Sequence, residues 1–474
     1  MMEYPEGISP WNISRFENAH QNFTRRLIKN ASFDLHIDNK NWEHLSMLER
    51  YNLCTRNLQW LIGRALEKDM NIRAMGSGWS LSKAATGDDA IINTRRFRHK
   101  FTLSEKNFEA DYLARNKKAE DHRFLQCGNT IIDIHNYLEN KCRPPKSLPV
   151  SGGSNGQTIA GAFSTNTHGA AIKHGSLPEI ILGMHVVCDP KKHYYVERAS
   201  CPVTSASFHQ KIGAEVIRDD ELFNAMLVSF GSFGIVHGVL VAVEDRFLLE
   251  QKMSRVAWDA DLEEAVCAGN FSKIERHLKY PVTDISRPLY HFELAINPHD
   301  FAFNDAKKGV YLRIMHKCAY YEEYDKADLP SAGYTYGDET LGLIQAILDK
   351  IELSSGWLNK KLIPKLVNQL FDAAYQRPAD ATGTIGETFK NTIFRGKIFS
   401  AAICTDHAAV PEVVKLCLEI NKTTRLAGVI ALRFVKGTPA TLGFTRWQNS
   451  CVLELDGVDA RVNYRFFKKL VCAL

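Results

Sequence analysis

Six glycines, Gly152, Gly153, Gly156, Gly161, Gly169 and Gly175, fall within residues 152–175, GGSNGQTIAGAFSTNTHGAAIKHG, among Ser, Thr, Asn and His. Neither a core strand nor a surface helix is built this way, because glycine is costly in both and packs nothing. Glycine suits backbone that must approach something closely, and small hydroxyl residues suit the presentation of N–H and O–H donors. The simplest acceptor for such donors is a phosphate-bearing cofactor. A second loop of this kind, Gly76, Ser77, Gly78, Trp79 and Ser80, follows the short apolar-biased run 70–75. Its consecutive free amides form a nest suited to a pyrophosphate. A third, from Gly231 to Gly234, joins a helical pattern over 222–228 to a buried strand pattern over 235–243. A plain turn accounts for one such loop; three point to a ligand. Arg433 is the remaining residue with chemistry, set between Leu432 and Phe434 in an apolar strand. Facing a core unpaired it would be prohibitive. Facing a pocket, its fork can hold a hydroxyl or alkoxide; a buried ion pair with Glu293 is the alternative.

The elements around these loops alternate between helix and strand. A helical pattern from Ser46 leads into the strand before the first loop, 124–128 reads as a strand, and Thr130 caps a helix over 130–140. A strand over 184–188 closes on Asp189 and Pro190. No G-x-G-x-x-G follows a strand, which argues against Rossmann binding of NAD. After residue 247 the glycine loops vanish and alternating runs appear at 289–296 and 310–314, followed by helical patterns over 340–374 and 410–420 with a strand over 398–404 between them. The expected fold is α+β. Its divisions are an N-terminal arm at 1–41 with helical patches over 15–29, a first domain at 42–247, and a second at 248–454. That second domain is an antiparallel sheet with helices on one side, and 455–474 begins a return to the first domain.

The chain has 474 residues, 45% hydrophobic and 24% charged, with a net charge of +5. That is ample for two or three domains and ordinary for a globular protein. The absence of a long basic block argues against nucleic acid. No apolar run reaches the roughly 18 residues of a membrane span, and the N-terminus lacks the pattern of a signal peptide. Eleven cysteines without a C-x-x-C pair point to reduced thiols in a cytoplasmic setting and to no metal.

The order RAMGSGWS, LPVSGGSNGQTIAGAFSTNTHG, LFNAMLVSFGSFGIVHGV resembles the PCMH-type FAD-binding domain of the vanillyl-alcohol oxidase family. Within that family it is most similar to the sugar-lactone and alditol oxidase branch, which includes gulonolactone and arabinonolactone oxidases. The likeness runs over residues 42–243 and resumes at Ile430 to Phe434; its most specific piece is Ser164 to Gly169 with the preceding QTIAGA. The resemblance implies a two-subdomain FAD-binding domain and a cap over the flavin. Residues 76–80 would form the first cofactor loop. Gly153, Ser154, Thr158, Gly161, Thr165, Asn166, Thr167 and His168 would line the pyrophosphate and isoalloxazine side, His168 as a flavin-contacting residue rather than an acid or base. Gly231, Gly234 and Ile235 would approach the far end. The implied reaction is oxidation of a CH–OH group of a small alcohol, polyol or lactone by hydride transfer to flavin, with dioxygen or another acceptor taking the electrons. Arg433 would face the substrate.

Three positions depart from the family pattern. Many relatives carry a histidine, bonded covalently to the flavin, where this chain has Trp79; the expectation is therefore a non-covalent flavin, with Trp79 beside the dimethylbenzene ring or else a plain core aromatic. The glutamate usual two residues before the arginine is replaced by Ala431. The sequence stops at Leu474, before the family's lysine-bearing His-Trp-Gly-Lys-like segment. Both losses raise an alternative, a flavin-binding homologue with weak or lost turnover serving as scaffold or sensor. Lys436, Tyr290, His291 and Glu293 are proton-acceptor candidates by position alone. A further reading is an α+β binding protein without cofactor.

Overall fold

The computed structural model describes residues 4–325, 356–375, 380–389 and 397–474. Helix α1 (Met47–Glu67) starts at a capping box: the Ser46 hydroxyl accepts from the Glu49 N–H while the Glu49 carboxylate accepts from the Ser46 N–H, a device worth ~1 kcal/mol. Its stripe of Cys54, Leu58 and Leu61 packs on Phe33, Leu35 and Ile92 of the first sheet. That sheet contains β1 (Ile8–Trp11), β2 (Ser32–Leu35), β3 (Ile72–Met75) and β4 (Ala90–Asn93) in the order β1-β2-β4-β3. The end of β3 opens directly into residues 76–80.

The second sheet holds β5 (Lys100–Thr102), β6 (His122–Gln126), β7 (Ile181–Val187), β8 (His193–Glu197), β9 (Glu215–Arg218) and β10 (Ile235–Ala242). Their order is β9-β8-β7-β10-β6-β5. Helices α2 (Ile131–Asn140), α3 (Ile159–Ser164) and α4 (Asp220–Leu227) share its core through Ile134, Phe163 and Phe223.

The third sheet is wholly antiparallel. It comprises β11 (Phe247–Val256), β12 (Leu289–Ile296), β13 (Val310–Ala319), β14 (Ala381–Thr384), β15 (Ile398–Asp406), β16 (Gly428–Lys436) and β17 (Asn449–Val458), ordered β14-β11-β13-β12-β16-β17-β15. Period-two alternation divides its side chains. Phe292, Leu294, Leu432, Leu453 and Leu455 face helices α5 (Ala260–Ala268), α7 (Val410–Thr423) and α8 (Arg461–Ala473). On the other face Ala295, Val429 and Val458 meet Ile363, Val367 and Phe371 of α6 (Gly356–Tyr375). The rest of that face, carrying Glu293, Arg433, Glu454 and Asp456, looks toward the glycine loops.

The α+β expectation, with two subdomains and an antiparallel cap, is met. Several local expectations are not. Residues 15–29 form no helix but the paired strands Arg15–Glu17 and Thr24–Arg26, where Phe16 is buried between two exposed neighbours as period two requires. The first forty residues supply β1 and β2 to the first sheet. Helices cover both faces of the cap sheet, not one. The last residues do not return to the first domain: Phe466 and Leu470, one helical turn apart, dock α8 into the cap core. Of the helical pattern over 340–374, residues 340–355 lie outside the described residues.

One contact joining the first domain to the cap is titratable. The buried Glu139 carboxylate on α2 accepts from the Thr384 hydroxyl at 2.7 Å and the Gly386 N–H at 3.0 Å. Burial pushes its carboxyl up to about 7, against the pull of those two donors. The folded value lies above the unfolded one of about 4.3, so the stability it contributes is present below that value and is lost as pH rises through 7. Glu139→Gln is therefore expected to gain melting temperature relative to the unsubstituted protein as pH rises from about 5 to 8. A melting difference that stays constant over that range would reject this.

Candidate active site

The three glycine loops converge on one cleft of about 980 Å³, near the upper end of the roughly 300–1,000 Å³ usual for small-molecule sites. Every residue that the resemblance assigns to cofactor or substrate lines it: residues 76–80, Gly153, Ser154, Thr158, Gly161, Thr165 to His168, Gly231, Gly234, Ile235 and Arg433.

The first loop turns at Gly78, whose φ of +66° suits glycine. Among the described residues no protein group accepts from the main-chain N–H of residues 76–80 or of Gly153 and Ser154. Main-chain donors left open on loops that line a cleft are what an anion site requires. A Cβ on Gly76 would collide with Thr158, and one on Gly156 with the Trp79 ring, so those glycines let the first two loops close on each other. Gly161 differs: a Cβ there would meet only the Thr158 hydroxyl, at 3.3 Å, and it is exposed to the cleft.

The second loop is not irregular throughout. Ile159, Ala162 and Phe163 bury one face of α3, whose helical spacing the glycines masked in the sequence. Asn166 is left-handed at φ +57°; its side chain accepts from the Ser176 hydroxyl at 2.9 Å and donates toward Thr445 at 3.4 Å. The third loop is tied to α3 by the Phe230 N–H, which donates to the Ser164 carbonyl at 3.2 Å. It turns at Gly231 (φ +77°) and Gly234 (φ +122°). Phe230 and Phe233 line the cleft while 39% and 41% exposed, apolar surface available to a planar ring. Trp79 lines the cleft and stands edge-on to His20, ring centres 5.2 Å apart.

On the cap side, Arg433 is both cleft-facing and ion-paired. Its guanidinium lines the cleft, and Nη1 lies 3.2 Å from where a Gly153 Cβ would sit. It is also paired, with Glu454 at 3.0 Å and Glu293 at 3.6 Å. Of the positional candidates only Glu293 reaches it. His291 bonds Glu293 at 3.0 Å, Tyr290 donates to the Pro149 carbonyl, and Lys436 is exposed at the end of β16. Burial pushes the Glu293 carboxyl up, but Arg433, the His291 hydrogen bond and Arg313 together outweigh it and hold the group well below the usual carboxylate range. Burial raises Glu454 and lifts Asp456 to about 7, with Glu454 adding to the latter. His168 is held down to about 4, first by burial and then by Arg433. Glu454 and Asp456 were missed in the sequence although they carry the signal used for Arg433: charged residues at alternate positions of an apolar strand, V-L-E-L-D-G-V. Among the described residues no cluster of three or more His, Cys, Asp or Glu could hold a metal ion, and no helix is long and apolar enough to cross a membrane.

The chain is similar in sequence to D-arabinono-1,4-lactone oxidases. It is 25% identical over 223 residues to the Candida glabrata enzyme and 23% over 207 to that of Debaryomyces hansenii, covering 47% and 43% of this chain. A putative D-arabinono-1,4-lactone oxidase of Neurospora crassa is 34% identical over 125 residues, 26% of this chain. The matched part spans only 37%, 33% and 19% of those relatives. No protein-family model matches the chain. Among solved structures, a cholesterol oxidase variant from Brevibacterium sterolicum superposes with a TM-score of 0.63 at 13% identity, covering 98% of this chain and 84% of that one. A second structure of a Brevibacterium sterolicum cholesterol oxidase gives 0.61 at 14% identity, with the same coverage. The chain has the cholesterol oxidase fold. The sequence resemblance to the sugar-lactone oxidase branch is thus matched by named relatives, and the α+β fold by structures that span nearly the whole chain.

Proposed function

We propose that the chain is an FAD-dependent oxidoreductase that oxidises a CH–OH group of a small alcohol, polyol or sugar lactone. The observation that carries this reading is the convergence of open main-chain donors from two glycine loops and the Arg433 guanidinium in one cleft. Residues 76–80 and 153–154 fit the pyrophosphate, which needs several aligned donors and no buried cation. Phe230 and Phe233 fit a flat ring, and Arg433 faces the donor. The hydride-accepting chemistry is the flavin's; the protein's part is orientation and electrostatics. Dioxygen or another acceptor takes the electrons. The buried carboxylates beside Arg433 favour turnover over a scaffold role.

The experiment is a purified sample supplemented with FAD, then mixed anaerobically with a panel of alcohols, polyols and aldonolactones that includes D-arabinono-1,4-lactone. A yellow protein bleached by one of them is expected. A protein that binds no FAD, or whose bound flavin no member bleaches, would sink the reading. Trp79 offers the flavin no imidazole nitrogen, so acid precipitation is expected to leave the flavin in the supernatant; flavin in the pellet would mean a covalent link.

A further inference from the structure

The glutamate that Ala431 lacks is supplied from the next strand. β16 and β17 pair so that Ala431 stands directly opposite Glu454 and Arg433 opposite Val452. Directly opposed residues of an antiparallel pair share a face, with Cβ atoms ~4.5–5.5 Å apart. The short Ala431 side chain leaves room above the sheet, and the Glu454 carboxylate occupies this face within 3.0 Å of the Arg433 guanidinium. A carboxylate–guanidinium pair is preserved although the carboxylate comes from a different strand.

Its other neighbour fixes the chemistry. His168 Nδ1 lies 3.0 Å from the Gly169 carbonyl; a carbonyl only accepts, so Nδ1 carries the hydrogen. In the neutral ring Nε2 is then a bare lone pair, and it lies 3.4 Å from Glu454 Oε1. With Glu454 ionised, two lone pairs confront each other. With one proton added, the gap closes as an O–H···N hydrogen bond. The charged groups around Glu454 are Arg433 from β16, Glu293 from β12 beyond it, and Asp456 two residues along its own strand; Ala402, its partner on β15, is uncharged. Glu293 is tied to Arg433, Arg313 and His291 and so stays ionised as the guanidinium's fixed counter-charge. Of the two carboxyls that remain, Glu454 and Asp456, Glu454 is the one within reach of both Arg433 and His168.

We propose that Glu454 is the catalytic proton acceptor of the oxidation, in place of the carboxylate that Ala431 lacks, with His168 as its positioning residue. This rests on reading the cleft as an alcohol-oxidising flavin site. The balance is CH–OH → C=O with loss of one hydride and one proton. The carbon-bound hydrogen leaves with its electron pair to the cofactor, and the hydroxyl proton bonds to Glu454 Oε1, which then donates an O–H···N hydrogen bond to His168 Nε2. The reactive form has Glu454 ionised, so the rate of donor oxidation rises with pH through the titration of this pair.

The test compares Glu454→Gln, His168→Gln and the double variant Ala431→Glu/Glu454→Ala, using whichever panel member bleaches the unsubstituted protein. Glu454→Gln is expected to lower the anaerobic bleaching rate by about 10²–10⁴-fold and to abolish its rise with pH, with FAD content and melting temperature retained. The double variant, which returns a carboxylate to the face from β16, is expected to recover part of that loss. A bleaching rate for Glu454→Gln within a few-fold of the original, or one that keeps its pH limb, would overturn the assignment. Infrared titration of the FAD-free protein reads the proton without turnover. A carboxylic-acid band lost in Glu454→Gln and shifted in His168→Gln is expected; a band unchanged in both would overturn the pairing. If the original protein bleaches with no donor, the oxidation reading fails, and the infrared result still decides whether Glu454 and His168 share a proton.

Discussion

Arg433→Lys is expected to lower the anaerobic bleaching rate by about 10²–10³-fold while the protein stays folded and yellow, because removing one preorganised donor from a developing oxyanion costs that much. Lysine keeps the charge that Glu293 and Glu454 require but presents a single point where the guanidinium presents a fork. It therefore cannot span both carboxylates and the donor oxygen beside Gly153 together. Arg433→Met separates this from stability. It leaves buried Glu454 without its guanidinium and Glu293 with only Arg313 and His291, a loss of about 3–5 kcal/mol. In the unsubstituted protein Glu293 titrates below its unfolded value, so it adds stability above that value and loses it as pH falls. Without Arg433 its largest stabilising charge is gone and burial pushes the carboxyl upward. The melting-temperature gap between the unsubstituted protein and Arg433→Met should widen as pH rises from about 5 to 8. A lysine variant with full bleaching rate would show that the fork does not hold the donor, and a methionine variant whose deficit ignores pH would show that Arg433 is not what keeps the buried carboxylates ionised.

The glycine loops were legible because their signal is local: composition alone marks residues 76–80 and 152–175 as backbone rather than side-chain structure. What composition could not assign was the reason for each glycine. Gly76, Gly156 and Gly152 face Thr158, Trp79 and Thr167, so they let loops meet, whereas Gly161 faces the cleft. The cap strand Leu289–Ile296 was legible end to end because it alternates under strong burial. Residues 15–29 were not, since three-residue strands are too short to set a period against a helical one. Glu454 was visible as a charge in an apolar run, but its meaning depends on standing opposite Ala431. Strand register is a non-local quantity that no window on one strand contains. The docking of α8 on the cap was hidden for the same reason: Phe466 and Leu470 declare an apolar stripe, not its partner.

That difference among glycines gives the sharpest separation of site from scaffold. Gly161→Phe is expected to leave the fold intact and empty the cleft of flavin. The position is helical, shows no positive φ, and has one neighbour within 4 Å, the Thr158 hydroxyl. A Cβ there asks the Thr158 hydroxyl to give by a few tenths of an ångström and otherwise faces the cleft, and replacing glycine in a helix removes up to about 1 kcal/mol of propensity cost. The ring would occupy cleft volume beside the second loop, where the proposed cofactor would lie. FAD content per protein, read by absorbance after supplementation and desalting, should fall at least about tenfold, equivalent to ~1.4 kcal/mol of lost binding. The melting temperature of the FAD-free form should match that of the unsubstituted FAD-free protein. Gly76→Val makes the converse case: its Cβ collides with Thr158, so the two loops must part and the FAD-free melting temperature should drop as well. Full FAD content in Gly161→Phe would mean that FAD does not run through the cleft that the three loops enclose.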